Sequence, residues 1–312
     1  MAATRGGILV IRGGAIGDFI LTLPVLSALR GQFPEARLEV LGYPHITQLA
    51  RAADLADDLR SIEAAALAGF FARGGILDPA LQDYFAGFAM IISYLYDPDG
   101  IFQSNIGRCS KAQFIAGPHR PEEKAGLHAT RAFLRPLERL AIFDAEPVPR
   151  LRLTGARQVK TGSRVLAIHP GSGSERKNWP ETKWAELLER LLLTSQLNLL
   201  LVGGEAEGDR LSRLSKKLPS ARVQIARNLP LNELAQRLAS CDLFIGHDSG
   251  ITHLAAALGL PAVVLWGEST EEIWRPQGEN LLILKHDQDL AHLPSAKVLE
   301  QLHELLQRVA RN

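Results

Sequence analysis

Cysteine is scarce in this sequence, which contains only Cys109 and Cys241, far apart and without a Cys-x-x-Cys pair. Neither a disulfide framework nor a cysteine-based zinc site is expected, and a reducing compartment fits. An excess of one charge is also missing, because 35 Lys and Arg stand against 34 Asp and Glu. The chain therefore lacks the broad positive field that non-specific nucleic-acid binding needs, and nucleic acid is not an expected partner.

A long hydrophobic run is absent as well. The longest apolar stretch, residues 88–96, is far shorter than the roughly 20 residues of a membrane-spanning helix. The first residues, MAATRGGILVIRGG, have no apolar segment followed by a small-residue cleavage site. We therefore expect a cytoplasmic protein that is neither exported nor inserted into a membrane.

The sequence does contain a repeated alternation of short apolar runs and longer helical patterns. This alternation is typical of βαβ units and parallel sheets. The predicted strands are residues 7–12, 37–41, 90–96, 113–115, 164–169, 197–202, 223–225, 243–245 and 262–266. The predicted helices include residues 18–31, 46–53, 128–140 and 295–311. The fold class is α/β.

The length of 312 residues favours two domains. Residues 143–162 contain two prolines, two glycines and scattered charge without a helical period, so they are the predicted linker. The predicted domains are residues 1–155 and 163–312, and a return of the last helix onto the first domain stays open.

Three segments contain residues suited to chemistry, and the first is ILVIRGGAIGDFILTLP at residues 8–24. Its glycines allow a tight turn close to a ligand, but the spacing is not GxGxxG and the second strand has no acidic end. A nicotinamide dehydrogenase is therefore disfavoured. Asp18 has two interpretations, an N-cap of the next helix or a general base. Pro24 predicts a kink or a helix start near Thr22.

The second segment is LAIHPGSGSERKNWPETKWAELLERLL at residues 166–192. A strand leads into a small-residue loop whose N–H groups, with the hydroxyls of Ser172 and Ser174, can bind phosphate oxygens, and Lys177 supplies positive charge. The Walker A spacing is absent, so ATP hydrolysis is not indicated.

The third segment is LFIGHDSGITHLAAALGLPAVVLWG at residues 243–267. Asp248, Ser249 and Gly250 lie where a strand turns into a helix, which predicts a second anion site. His247 and His253 are six residues apart, so we favour phosphate contact or capping by His253 over metal binding.

Acidic residues raise two further questions. Glu205, after the strand 197–202, could accept hydrogen bonds from a ribose, or could simply favour the first turn of a helix. The pairs Asp97/Asp99 and Asp287/Asp289 have the Asp-x-Asp spacing found in some metal sites, but the first is a good turn signal and the second lies in a polar tail segment. No metal site is predicted.

A basic run lies between residues 108 and 135, where six cations stand against two carboxylates. Such a run is either a site for a phosphorylated substrate or a solvated helix face. The cations are Arg108, Lys111, Arg120, Lys124, Arg131 and Arg135.

The three segments together resemble the heptosyltransferases of lipopolysaccharide core synthesis, glycosyltransferase family nine. The resemblance runs through most of the chain in order, except for residues 60–88. It implies the GT-B architecture, in which two Rossmann-like domains with parallel sheets face each other across a cleft. It also implies an inverting transfer of heptose from ADP-heptose to a glycan or lipid-linked glycan acceptor, with no cofactor and no metal. Weak association with the inner face of the membrane would follow from a lipid-linked acceptor.

The resemblance implies a role for each candidate residue. Asp18 would be the general base, and Arg12, Gly14 and Arg120 are candidates on the acceptor side. The donor-binding candidates are Ser172, Ser174, Lys177, Glu205, Asp248, Ser249, Gly250 and His253. The alternatives left open are a sugar-nucleotide epimerase of GT-B-like fold and a non-catalytic module that binds nucleotide or glycan.

Overall fold

The computed structural model describes residues 6–153 and 163–311, and the chain divides into two compact units, Met1–Pro147 and Val148–Asn312. Of the predicted linker, residues 154–162 lie outside the described residues. Residues 148–153 belong to the second unit, where the Leu151 N–H donates a 2.8 Å hydrogen bond to the carbonyl oxygen of Ala257.

The first unit contains a five-stranded parallel sheet with the order β3-β2-β1-β4-β5. Its strands are β1 (Gly7–Arg12), β2 (Leu38–Gly42), β3 (Asp58–Ser61), β4 (Phe88–Ser93) and β5 (Gln113–Ala116). All six residues of β1 are buried, because this central strand is covered on both faces. The edge strand β3 was not predicted, since its sequence DLRS has no apolar pattern.

Short helices connect these strands. They are α1 (Ile16–Ile20), α2 (Leu23–Gln32), α3 (Pro44–Ala52), α4 (Pro79–Ala86), α5 (Ile101–Gly107) and α6 (Ala129–Leu134). The predicted helix 18–31 is split, because Pro24 occupies the first turn of α2 and Thr22 is the N-cap. The predicted helix 128–140 continues after α6 as a 3₁₀ helix over Arg135–Leu140.

The second unit contains a six-stranded parallel sheet with the order β11-β10-β9-β6-β7-β8. Its strands are β6 (Val165–His169), β7 (Asn198–Gly203), β8 (Val223–Arg227), β9 (Leu243–His247), β10 (Ala262–Leu265) and β11 (Leu281–Leu284). Its helices are α7 (Glu181–Thr194), α8 (Arg210–Ser215), α9 (Leu231–Ala239), α10 (Gly250–Ala257), α11 (Glu271–Trp274) and α12 (Ser295–Arg311).

The terminal helix α12 has one apolar face. Val298, Leu302 and Leu305 of this face are buried in the core of the second unit, together with leucines of α7. The helix therefore packs on its own unit. Among the helices of the described residues, none has the length and apolar character needed to cross a membrane.

Both sheets share one topological feature. The first strand of each unit lies in the interior of its sheet, and the chain then builds outward on one side before crossing to the other. Neighbouring loops therefore diverge at the carboxyl ends of β1 and β4, and again at those of β6 and β9. In open α/β sheets this switch point is where ligands bind.

Candidate functional site

The first cluster of candidate residues surrounds the loop after β1. Helix α1 begins at Ile16, with Ala15 as its N-cap. Asp18 lies within the first turn of α1, so it is not the N-cap that was its alternative interpretation. Its Oδ2 accepts a 3.0 Å hydrogen bond from the Ala15 N–H, and 27% of its side chain is exposed. The carboxylate is thus fixed by the backbone and open to solvent.

Arg12 connects Asp18 to a neighbouring loop. Its side chain is buried, with Nη2 3.6 Å from Asp18 Oδ1, and Nη1 donates a 2.8 Å hydrogen bond to the carbonyl oxygen of His119. The guanidinium carbon lies 4.5 Å from the centre of the Phe133 ring. Burial lowers the pKa of Arg12, and the Asp18 carboxylate opposes this change. Arg12 therefore holds the loops after β1 and β5 in a fixed relation.

Gly14 is required by the position of Asp18. Its φ is +99°, a conformation that side chains other than glycine rarely adopt. A Cβ at this position would lie 2.8 Å from Asp18 Oδ2. Gly14 therefore acts by leaving space for the carboxylate.

Exposed aromatic groups lie in the loops after β4 and β5. The rings of Tyr96, after β4, and His119, after β5, have centres 4.6 Å apart, and Tyr96 is 70% exposed. Arg120 follows His119 and is exposed. The loops near Asp18 thus offer two exposed rings in an edge-to-face arrangement and a cation.

The second cluster lies at the carboxyl ends of β6, β9 and β10. Lys177 Nζ donates hydrogen bonds of 2.8 Å to Asp248 Oδ2 and to Ser269 Oγ. The Asp248 side chain is 9% exposed, whereas one third of the Lys177 side chain is exposed. An ammonium group has three N–H donors, so two are used and one remains for a ligand. The Asp248 carboxylate orients Lys177.

Ser172 and Ser174 shape the loop after β6. Ser172 Oγ lies 2.9 Å from the Ser174 carbonyl oxygen and 2.8 Å from Asn178 Oδ1. The Ser174 N–H in turn lies 3.4 Å from Ser172 Oγ. The Ser172 hydroxyl is therefore committed to contacts inside the loop.

The two histidines of the third segment are both buried. His247 Nε2 accepts a 2.8 Å hydrogen bond from the backbone N–H of Trp179. The ring proton of His247 is therefore on Nδ1, which lies 3.1 Å from the Gly171 carbonyl oxygen. Burial lowers the pKa of His247 to about 3. His247 is thus a neutral residue that fixes the loop after β6. His253 is 6% exposed in the first turn of α10, where its N–H donates to the Ser249 carbonyl oxygen.

Ser249 is the N-cap of α10 and contacts a buried histidine. Its Oγ accepts a hydrogen bond from the Thr252 N–H at 3.4 Å and lies 3.3 Å from His169 Nδ1. The opposite nitrogen of His169, Nε2, lies 3.6 Å from Glu207 Oε1. The three side chains form a continuous chain from the buried carboxylate to the amino end of α10, which begins at Gly250.

Glu205 and Glu207 have different environments. Glu205 is exposed, whereas 4% of the Glu207 side chain is exposed and its Oε2 accepts a 2.6 Å hydrogen bond from the Gly204 N–H. Burial alone would raise the pKa of Glu207, but the hydrogen bond and charge of His169, with the Gly204 N–H, lower it to about 2. Glu207 therefore remains ionised at neutral pH.

Sequence reasoning missed His169, Glu207 and Ser269. His169 could have been noticed as the polar end of a buried strand, and Glu207 as the second acid of the Glu-Ala-Glu sequence. Ser269 is 92 residues from Lys177 and gives no local signal. Within residues 6–153 and 163–311, no three His, Cys, Asp or Glu side chains are arranged to hold a metal ion.

Comparison with known proteins identifies relatives of this chain. The model of glycosyltransferase family 9 (heptosyltransferase) matches residues 143–303. Lipopolysaccharide heptosyltransferase 1 of Escherichia coli is 31% identical over 146 residues, which are 46% of this chain and 44% of that protein.

Solved structures extend the likeness over both units. The structure of E. coli ADP-heptose lipopolysaccharide heptosyltransferase II covers 97% of this chain and 99% of its own, with a TM-score of 0.78 at 17% identity. An iron-containing dodecameric glycosyltransferase of enterotoxigenic E. coli covers 98% of this chain and 77% of its own, with a TM-score of 0.60 at 15% identity. The predicted GT-B fold is confirmed.

Proposed function

We propose that this chain, which belongs to glycosyltransferase family 9, transfers heptose from ADP-heptose to a lipopolysaccharide-core or related glycan acceptor, with inversion and without a metal ion. The observation that carries the proposal is that the Lys177 ammonium binds Asp248, the residue directly before the N-cap of α10, at the switch point of the second sheet. The ammonium and the amino end of α10 are both suited to a diphosphate.

The donor would bind at the carboxyl edge of the second sheet. The free N–H of Lys177 and the backbone N–H groups at Gly250 would contact the diphosphate. The exposed Glu205 is suited to the ribose hydroxyls, and the loop containing Ser172 and Ser174 would lie along the phosphates and sugar. Buried His253 would support the first turn of α10. The carboxylate of Asp248 would repel phosphate, so we assign it the orientation of Lys177.

Asp18 would act as the general base. In an inverting transfer the acceptor hydroxyl oxygen attacks the anomeric carbon as the bond to the diphosphate breaks, and the hydroxyl proton passes to Asp18. The partial exposure of this carboxylate and its fixed backbone contact support the role. Arg12 and Gly14 would hold the base in place, while Arg120 and the Tyr96 ring would contact the acceptor.

Charge on the departing ADP would be stabilised by Lys177 and the α10 amino end, which makes a metal unnecessary. Removing one such preorganised donor typically costs about a hundredfold or more in rate. The iron in a relative of the same fold makes this part of the proposal a separate test. Activity should survive EDTA, and added Mg²⁺, Mn²⁺ or Fe²⁺ should not increase it.

Isothermal titration with ADP, UDP, GDP and CDP, each with and without EDTA, tests the donor assignment. We expect binding of ADP alone, unchanged by EDTA. Binding of UDP or GDP instead would keep the fold and reject ADP-heptose as the donor. Donor turnover without any acceptor would indicate the epimerase, and a chain that binds nucleotide without turnover under any condition would be the non-catalytic module.

The acceptor side also bears on location. We infer weak association with the cytoplasmic face of the inner membrane through the exposed residues Arg131 and Arg135, which line an open cavity of about 350 Å³ together with Phe143. Sedimentation with vesicles of anionic lipid should retain the protein at low salt and release it at high salt. Equal binding to neutral vesicles would contradict this electrostatic attachment.

A further inference from the structure

We propose that Glu207, His169 and Ser249 form a chain of polar contacts that directs the Ser249 hydroxyl proton toward the leaving diphosphate. His169 and Glu207 are then positioning residues for the transfer. The inference rests on the proposed function, because it assumes that a nucleoside diphosphate binds beside α10.

The contacts of the Ser249 hydroxyl leave its proton available to a ligand. A serine hydroxyl has one proton and two acceptor sites. One acceptor site receives the Thr252 N–H, and the other faces His169 Nδ1 at 3.3 Å. If both sites accept, the proton is the only part of the hydroxyl left for a ligand, and it must be donated.

Thr252 supplies a resting partner for that proton. Its own hydroxyl proton is donated in a short hydrogen bond to the His247 carbonyl oxygen. Thr252 Oγ1 can therefore only accept from Ser249 Oγ, which is 3.2 Å away. When a phosphate oxygen arrives, the Ser249 proton can exchange this neutral acceptor for a charged one, which makes a stronger hydrogen bond.

Glu207 contacts the nitrogen of His169 that faces away from Ser249. Its ionised carboxylate faces His169 Nε2 at 3.6 Å in a site with almost no solvent. A buried carboxylate needs a cationic or donating partner, and an N–H at His169 Nε2 supplies one on this side. Because the Ser249 proton is directed to Thr252 Oγ1, His169 Nδ1 meets Ser249 Oγ as a donor. An Nδ1 that accepted the Ser249 proton would instead withhold it from the diphosphate.

Gly171 leaves space for the Glu207 carboxylate that a larger residue would fill. A Cβ on Gly171 would lie 1.9 Å from Glu207 Oε1. Gly171 follows the strand that ends in His169, so the same loop that carries the imidazole also accommodates its carboxylate partner. The site is therefore built around Glu207, although the exposed Glu205 precedes it by only two residues.

Two substitutions of His169 separate its contact with Ser249 from its contact with Glu207. In His169→Asn the amide nitrogen replaces Nδ1, which preserves the donor to Ser249 and removes the contact with Glu207. In His169→Gln the amide nitrogen replaces Nε2, which preserves the contact with Glu207 and removes the donor to Ser249. ADP is the probe, and each variant is measured by isothermal titration and by its melting midpoint.

We expect His169→Gln to weaken ADP binding about tenfold, the loss of one hydrogen bond to a charged group, with a nearly unchanged melting midpoint. We expect His169→Asn to bind ADP within about threefold of wild type while melting earlier, because Glu207 loses its partner. Ser249→Ala should weaken ADP binding about as much as His169→Gln, although it also melts earlier because α10 loses its N-cap, and combining the two should weaken ADP binding no more than either alone. Ser249→Thr keeps the hydroxyl, so it should bind ADP as wild type does.

The opposite pattern overturns the inference. If ADP affinity follows the melting midpoint across the variants, His169 is only structural. If Ser249→Ala and His169→Gln weaken ADP binding independently, so that their effects multiply to about a hundredfold, the two residues do not act as a chain. If wild type does not bind ADP at all, the proposed function fails first, and this inference fails with it.

Discussion

The contact between Lys177 and Asp248 allows the folding and binding roles of one ion pair to be separated. The two atoms are 2.8 Å apart, and Asp248 is nearly buried. At an effective dielectric constant of about 20 the gross attraction is about 6 kcal/mol. One third of the Lys177 side chain is in water, so desolvation and screening leave much less. We expect Lys177→Met to lower the free energy of unfolding by about 1–3 kcal/mol, because Asp248 loses its cation.

The double substitution is the informative one. Asp248→Asn in the Lys177→Met background removes the stranded carboxylate, so most of the lost stability should return. ADP affinity should not return, because the phosphate has lost a charged donor that is worth roughly 10- to 100-fold. Asp248→Asn alone should bind ADP at least as well as wild type, since asparagine keeps an acceptor oxygen that can orient Lys177 and removes a negative charge near the phosphates.

Melting midpoints and titration with ADP measure the two effects on the same samples. A loss of 1 kcal/mol corresponds to about 2–4 °C in a chain of this kind. Lys183→Met is the matched control, because Lys183 is a half-buried lysine whose Nζ donates a 2.8 Å hydrogen bond to the Leu293 carbonyl oxygen, away from the proposed donor. If the double variant regains ADP affinity along with stability, Lys177 acts only in folding and the reasoning is refuted.

Three further predictions concern other parts of the chain. Gly14→Ala should abolish transfer and leave ADP binding intact, because its Cβ displaces Asp18; full activity would contradict this. Between pH 4.5 and 2 wild type should lose up to about 3 kcal/mol of stability as Glu207 takes up a proton, and Glu207→Gln should lack this loss in urea titrations. His247 is neutral when folded, so stability should fall by about 1.4 kcal/mol per unit as pH drops below 6.5, with a flatter slope in His247→Phe.

Much of the fold was visible in the sequence because its signals are local. Buried strands such as β1 are nearly continuous apolar runs, and glycine turns mark where they meet helices. Pro24 likewise predicted the interruption between α1 and α2. The strand β3 has no such signal, because DLRS is half-buried at a sheet edge and is defined by pairing with β2. That pairing is a property of the sheet and cannot be read from four residues.

In the candidate sites, too, some residues have local sequence signals and others do not. Lys177 and Ser249 lie in loops at strand ends, so parallel topology predicts that they approach each other. Their partners depend on side-chain burial and on contacts between distant segments. Glu205 and Glu207 look equivalent in sequence, yet only Glu207 points inward to His169. Ser269 meets Lys177 only after the sheet has assembled.

The most direct test of the proposed function is the release of ADP from ADP-heptose in the presence of a heptose-deficient lipopolysaccharide-core acceptor and EDTA. Wild type and Asp18→Asn are compared, with ADP affinity measured for both. We predict acceptor-dependent release by wild type, and loss of release with unchanged ADP affinity in Asp18→Asn. Release that continues in Asp18→Asn, or that requires a metal ion in wild type, would contradict the assignment of Asp18 as the base of a metal-independent transfer.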